Sequence, residues 1–177
     1  MNLFIAIELP KPMKKEISSA LKELKIKSTG GRFVAEDNLH ITLHYIGESS
    51  DLSGAVSAMR QASQGIRPFI LRPESYDFFE KSGHKTSFVT VGGQLSELEI
   101  LHETLEAALC DNGFSRDYKR FVPHITLGRN VGHDEMTSME MRNFVFRTEM
   151  SVQGITLFES CKENGKTLYL PLHREKF

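Results

Sequence analysis

At 177 residues and 40% hydrophobic content, the chain is long enough for one well-cored domain and short for two independent ones. Its 22 Lys and Arg nearly balance its 23 Asp and Glu, which excludes the basic excess of a protein that coats long nucleic acid. Any RNA partner would have to be gripped locally, at an end or a single linkage. Two distant cysteines, Cys110 and Cys161, fit neither a disulfide framework nor a Cys-x-x-Cys metal site.

Taken in order, the chain opens with Leu3 to Leu9, an almost wholly apolar run that reads as a strand. It lacks a basic lead-in and a small-residue cleavage site, and no apolar run approaches the roughly 18 residues of a membrane span, so the expectation is a cytoplasmic protein. Pro10 and Pro12 stop the strand and open a helix to about Lys25, with Met13, Ile17, Leu21 and Leu24 on one face. Gly30 and Gly31 turn the chain into a short strand at Arg32 to Val34, and a further strand follows from Asn38 to Gly47. Asp51 is a good N-cap for a helix that Gly65 stops. Pro68 to Phe79 and Lys85 to Val91 predict a hairpin around Lys81 to His84. Ser96 and Glu99 form a capping-box pattern for a helix striped by Leu95, Leu98, Leu101, Leu105 and Leu109 and ended by Asn112-Gly113. Phe121 to Leu127 is another strand, Asn130 to Asn143 fits a short helix or a loop, and Glu149 to Glu159 with Lys166 to Leu172 predict a last hairpin around Glu163-Asn164-Gly165. Strands outnumber helices and hairpins recur, which favours an α+β fold of antiparallel sheets.

The tetrapeptide His-Ile-Thr-Leu occurs twice, at His40 and at His124, nearly half the chain apart. Both copies are β-branched and apolar, and in a strand alternate side chains share a face. His40 with Thr42, and His124 with Thr126, therefore point one way, while Ile41, Leu43, Ile125 and Leu127 point into a core. A single bilobal domain over residues 1–177, each lobe presenting one imidazole and one hydroxyl, is the simple expectation.

A lone strand histidine is usually a packing or surface residue, and that reading suffices for His44, His84, His102, His133 and His173. Chance seldom repeats a tetrapeptide at equivalent points of two halves, so His40 and His124 stand apart. Two imidazoles suit acid-base work near neutral pH, and two hydroxyls suit an oxyanion with several equatorial oxygens. In-line displacement at phosphorus makes both demands. The spacing of His40, Thr42 and His44 places a second imidazole on the first motif's face and raises a metal site. Against it, Gly128 stands where His44 would correspond and no Glu or Cys completes either motif. No Gly-x-Ser-x-Gly elbow supports a serine nucleophile.

With these residues in hand, the chain resembles the two-histidine phosphoesterases, and specifically the RNA 2',3'-cyclic phosphodiesterase branch once named for 2'-5' RNA ligase activity. The resemblance spans nearly the whole chain: the opening Leu3 to Pro10, Asp37 to Leu43 with Ile46-Gly47, Arg120 to Leu127 with Arg129, and the closing Leu157 to Ser160 and Tyr169 to Leu172. It implies a bilobal α+β fold with two antiparallel sheets facing a central cleft and helices outside. It also implies catalytic His40 and His124, the first as acid and the second as base, substrate-binding Thr42, Thr126 and Arg129, and no metal or other cofactor. Strand parity puts residue 129 on the Ile125 face, so either a bulge at Gly128 re-aims Arg129 or it is a surface residue. Phe88 stands where relatives carry an aromatic that stacks a base, and a core Phe fits the same position.

The expected reaction is metal-independent opening of a terminal 2',3'-cyclic phosphate to a 2'-phosphomonoester. The implied partners are RNA 3' ends or small nucleotides bearing that group, with no membrane and no obligate protein partner. The rivals are cleavage or ligation of 2'-5' linkages and a noncatalytic module that binds RNA ends or nucleotides.

Overall fold

The computed structural model describes residues Met1–Phe177. Nine strands and four helices alternate along the chain: β1 (Asn2–Glu8), α1 (Lys11–Lys27), β2 (Gly30–Phe33), β3 (His40–Glu48), α2 (Leu52–Ser63), β4 (Phe69–Lys81), β5 (His84–Gly93), α3 (Leu95–Asp111), β6 (His124–Gly132), α4 (Glu135–Arg142), β7 (Met150–Val152), β8 (Gly154–Glu163) and β9 (Lys166–Lys176). They form two antiparallel sheets, β3-β1-β8-β9 and β2-β6-β5-β4-β7. The fold is the expected α+β arrangement, with the two His-Ile-Thr-Leu strands in different sheets and in contact across them.

The core joins the layers. Leu3, Ile5 and Ile7 of β1, Met13, Ile17 and Leu24 of α1, Ala55 and Met59 of α2, Leu98 and Leu105 of α3, and Met141 of α4 belong to one cluster of 34 buried side chains. Removing that apolar surface from water is the main driving force for folding. α1 packs with α4, α2 packs with α3 and against β8 and β9, and α3 and α4 each pack against β4. The other face of β1 carries Phe4 and Ala6, which with Phe158 make a separate small cluster capped by Tyr169. No helix is long and apolar enough to cross a membrane.

Local chemistry explains most boundaries. Asp51 accepts the Gly54 N–H at 2.8 Å and opens α2 as a side-chain cap. Ser82-Gly83 and Asn164-Gly165 both take positive φ (53° and 77°; 51° and 75°), as a two-residue hairpin turn that follows strand twist requires.

Two expectations fail for identifiable reasons, and a third segment, left open between short helix and loop, is decided. The Ser96–Glu99 capping box does not form, because α3 starts two residues earlier than that box requires; Gln94 occupies its N-cap position and spends its side-chain oxygen on the Ile70 N–H of β4, at 2.7 Å. Glu149 to Glu159 is two strands in two sheets: β7 pairs with β4 and β8 with β1, and the chain crosses over at Gln153. The buried positions slip there from Met150 and Val152 to Ile155 and Leu157, a change of parity within one alternating stretch. Asn130 to Asn143 divides into the end of β6 and α4, whose cap Asp134 accepts the Thr137 N–H at 2.8 Å.

Candidate active site

Both motif strands start at the histidine itself rather than at Asn38 and Phe121. A 3-10 turn at Glu36–Asn38 precedes the first, and Pro123, which has no N–H for a ladder, precedes the second. In each copy the histidine turns its Nδ1 back onto the carbonyl two residues earlier: His40 onto Asn38 at 2.6 Å, His124 onto Val122 at 2.7 Å. A carbonyl can only accept, so Nδ1 carries the hydrogen in both charge states and the neutral ring keeps its lone pair on Nε2. His40 Nε2 lies 2.9 Å from Thr42 Oγ1.

The strands also bulge at the same point. On β3, Thr42 pairs with Ala6 and His44 with Ile5, leaving Leu43 without a partner. On β6, Thr126 pairs with Phe88 and Gly128 with Ser87, leaving Leu127 without one. The leucine of each tetrapeptide is the extra residue of a β-bulge, and side chains beyond it change face. The two burial patterns begin identically: half-buried His and Thr, buried Ile and Leu, a buried fourth position after the histidine and an exposed fifth.

This bulge corrects one expectation and resolves another. His44 does not share the face of His40 and Thr42. It turns inward, 5% exposed, and its Nδ1 sits 2.5 Å from Glu106 Oε1 of α3. Glu106 Oε2 accepts the Asp117 N–H at 3.1 Å, and His102 lies 3.6 Å from Oε1 while stacking on Phe121 at 3.9 Å between centroids. One buried carboxylate thus ties the first motif strand to the loop that leads into the second. Arg129, by contrast, is returned to the side of His124 and Thr126, where it is exposed.

Each imidazole rests against aromatic rings. His40 packs on Phe4 and edge-on to Tyr169, with centroids 5.1 and 5.3 Å away; His124 packs against Phe88 and Phe79, at 5.2 and 5.6 Å. Phe88 is 3% exposed and stacked at 4.4 Å beneath Phe79. It is a wall for His124 with no open face for a base, and the ring that meets solvent is Phe79, 44% exposed. Phe79, Tyr169 and Tyr45, whose position on β3 matches that of Arg129 on β6, were not singled out from the sequence; only a known bulge position would have found Tyr45.

Burial pushes both imidazoles below their ordinary pKa, against the opposing pull of the carbonyl bonds. The charges of His124, Lys14 and Arg129 lower His40 further, and that of Arg129 lowers His124. The two rings are close enough to feel each other, and one guanidinium acts on both. An anion between them would reverse this balance. No group of three or more His, Cys, Asp or Glu side chains is placed to hold a metal ion.

Two opposed strands, each offering an imidazole Nε2 and a hydroxyl, with a guanidinium at the rim, make a site suited to acid-base displacement at phosphorus. Residues 13–164 match the family model described as the 2'-5' RNA ligase superfamily, and the chain belongs to that superfamily. It is 30% identical to the RNA 2',3'-cyclic phosphodiesterase of Thermotoga maritima, over the whole of this chain and 96% of the relative. Against Escherichia coli LigT in its apo form the TM-score is 0.74 at 26% identity, covering 99% of this chain and 96% of that one. A Thermus thermophilus protein of 23% identity shares the fold at a TM-score of 0.82, over 99% and 97% of the two chains.

Proposed function

We propose that this chain, acting as one bilobal unit, opens the 2',3'-cyclic phosphate at an RNA 3' end or on a small nucleotide to a 2'-phosphomonoester. The observation that carries this reading is the doubled motif, in which each histidine is pinned through Nδ1 to a backbone carbonyl and presents Nε2 on the strand face that carries the threonine two residues on. Water attacks phosphorus in line with the P–O3' bond, and its proton passes to Nε2 of one histidine as the P–O bond forms. The other histidine delivers its Nε2 proton to O3' as that bond breaks. The hydroxyls of Thr42 and Thr126 and the guanidinium of Arg129 donate to the equatorial oxygens, where charge accumulates. When His40 is protonated its Nε2 no longer accepts from Thr42, which frees the threonine O–H for the phosphate. His40 as acid and His124 as base is the assignment the family resemblance carries. The outer face of Phe79 is the surface available to a base.

The names of the relatives agree with this chemistry. E. coli LigT, moreover, has been crystallised with 3'-AMP and with phosphate. Formation of 2'-5' linkages is the same displacement with an RNA 5'-hydroxyl in place of water, and cleavage of a 2'-5' linkage is its reverse. Incubating a dinucleotide ending in 2',3'-cyclic phosphate with the protein in excess chelator separates the readings. The expected result, by phosphorus NMR, is a single 2'-phosphomonoester; no turnover would indicate a binding module, and resistance of the cyclic phosphate beside cleavage of a 2'-5' dinucleotide would indicate a 2'-5' specialist.

The lowered imidazole pKa values set the pH dependence. A depressed base stays unprotonated to lower pH, which moves the acidic limb of kcat/KM down; a depressed acid loses its proton at lower pH, which moves the basic limb down as well. The maximum of kcat/KM is therefore expected below about pH 6.5, the ordinary imidazole value. Bound phosphate favours the imidazolium, so kcat should peak at higher pH than kcat/KM. Arg129→Gln removes a cation that acts on both rings and should move the kcat/KM maximum upward. A wild-type kcat/KM maximum above about pH 7.5, a full unit beyond that ordinary value, would contradict this account of the site's electrostatics.

A further inference from the structure

Two arginines stand side by side at the rim of the site. Arg32 of β2 is the direct cross-strand partner of Arg129 of β6. Residues directly opposite in an antiparallel pair share a face, with Cβ atoms about 5 Å apart, and like charges placed so destabilise the sheet. Gly128 confirms the orientation: a Cβ there would meet Val131 and Phe33 on the core side, so its neighbour Arg129 points to the other side. Both arginines are exposed. Neither has a carboxylate within 4.0 Å, which is true also of Arg67, Arg120 and Arg147, but of the ten arginines only Arg32 and Arg129 face each other across a strand pair. Arg129 acts on His40, His124 and Tyr169; Arg32 does not figure among the charges felt by those groups and lies one strand further out.

We propose that Arg32 forms a second phosphate subsite beside the reacting one, with Arg129 shared between the two phosphates, and that this subsite takes the phosphate on the 5' oxygen of the terminal nucleotide. The inference rests on the reading of the site as a cyclic phosphodiesterase and names its substrate class as RNA ends in preference to free nucleoside 2',3'-cyclic phosphates. A terminal cyclic phosphate occupies both O2' and O3', so the next phosphate along the strand is the one on O5'. Adjacent strands are about 4.8 Å apart, and two flexible arginine stems extend that spacing to the separation of consecutive phosphates. Planar guanidinium forks match phosphate oxygens in pairs, and an anion between Arg32 and Arg129 removes their mutual repulsion.

The test compares kcat/KM for a nucleoside 2',3'-cyclic phosphate, the same compound carrying a 5'-phosphate, and a dinucleotide ending in the cyclic phosphate. The wild type should favour both phosphorylated substrates by about tenfold, the scale of one charge-assisted contact. Arg32→Gln should remove most of that preference while the unphosphorylated nucleoside loses much less, and should lower the salt slope for the dinucleotide by roughly 0.7. Arg32→Lys should keep part of the preference, since it retains the charge and loses the fork. Arg67→Gln, an exposed charge change beside Gly65 and Pro68, serves as the control and should leave the preference intact. Equal losses on all three substrates in Arg32→Gln, or a preference for the dinucleotide alone that survives it, would overturn the subsite. Failure of the wild type to turn over any of the three substrates would sink the underlying reading, and the subsite with it.

Discussion

Replacing either His40 or His124 by alanine is expected to lower kcat for cyclic phosphate opening by about 10² to 10⁴, the usual contribution of a positioned general acid or base. Each imidazole is placed by a backbone carbonyl and by aromatic rings, Phe4 and Tyr169 for one, Phe88 and Phe79 for the other, so each Nε2 reaches the substrate without further ordering. Proton transfer belongs to the transition state, so the loss should fall on kcat with KM changed little. The double variant should fall well short of the product of the single losses, because the two groups act on one displacement. Unfolding curves of the variants distinguish a chemical defect from a folding defect: both rings are only half-buried, and their removal leaves the 34-residue core intact. Two folded single variants that turn over at rates close to wild type would remove the histidines from the mechanism.

How far the site could be read in advance is set by where strand parity holds. His40, Thr42, His124 and Thr126 obey the i, i+2 rule, because no irregularity lies within the first three residues of either motif. One residue later the rule breaks: Leu43 and Leu127 are the bulged positions, so His44 turns to the core and Tyr45 and Arg129 to the open side. Nothing in His-Ile-Thr-Leu as a string announces the bulge; it is a property of the pairing with β1 and β5. The same limit applies to Phe88, whose place on a strand was legible but whose cover, Phe79, comes from the neighbouring strand. Glu106 lies 62 positions from His44, and helix periodicity marks it only as one polar residue among apolar ones. The layers were easier. Apolar stripes such as Met13, Ile17, Leu21 and Leu24, and turn pairs such as Asn164-Gly165, carry their structure locally. The crossover at Gln153 is hidden because apolar and polar residues go on alternating from Met150 to Leu157, and only the shift of parity between Val152 and Ile155 marks the change of sheet.

The division of labour between the histidines is where pseudo-symmetry hides most and where the second large effect is expected. In a substrate whose 3' bridging oxygen is replaced by sulfur, the departing atom leaves as a thiolate, of ordinary pKa near about 8.5 for a thiol, and needs little help from an acid. Loss of the acid should then matter far less than it does with oxygen, while loss of the base, which acts on water at the opposite side of phosphorus, should matter equally with both. His40→Ala is expected to recover most of its deficit of about 10² to 10⁴ on the 3'-thio substrate, and His124→Ala to recover almost none. The direct measurement is the single-turnover rate of wild type, His40→Ala and His124→Ala on matched 3'-oxygen and 3'-thio cyclic substrates. Rescue confined to one variant is the result that paired-histidine acid-base catalysis requires, with His40 as the rescued position; rescue of His124→Ala instead would exchange the roles, and equal deficits on both substrates for both variants would contradict proton transfer to the leaving group by either histidine.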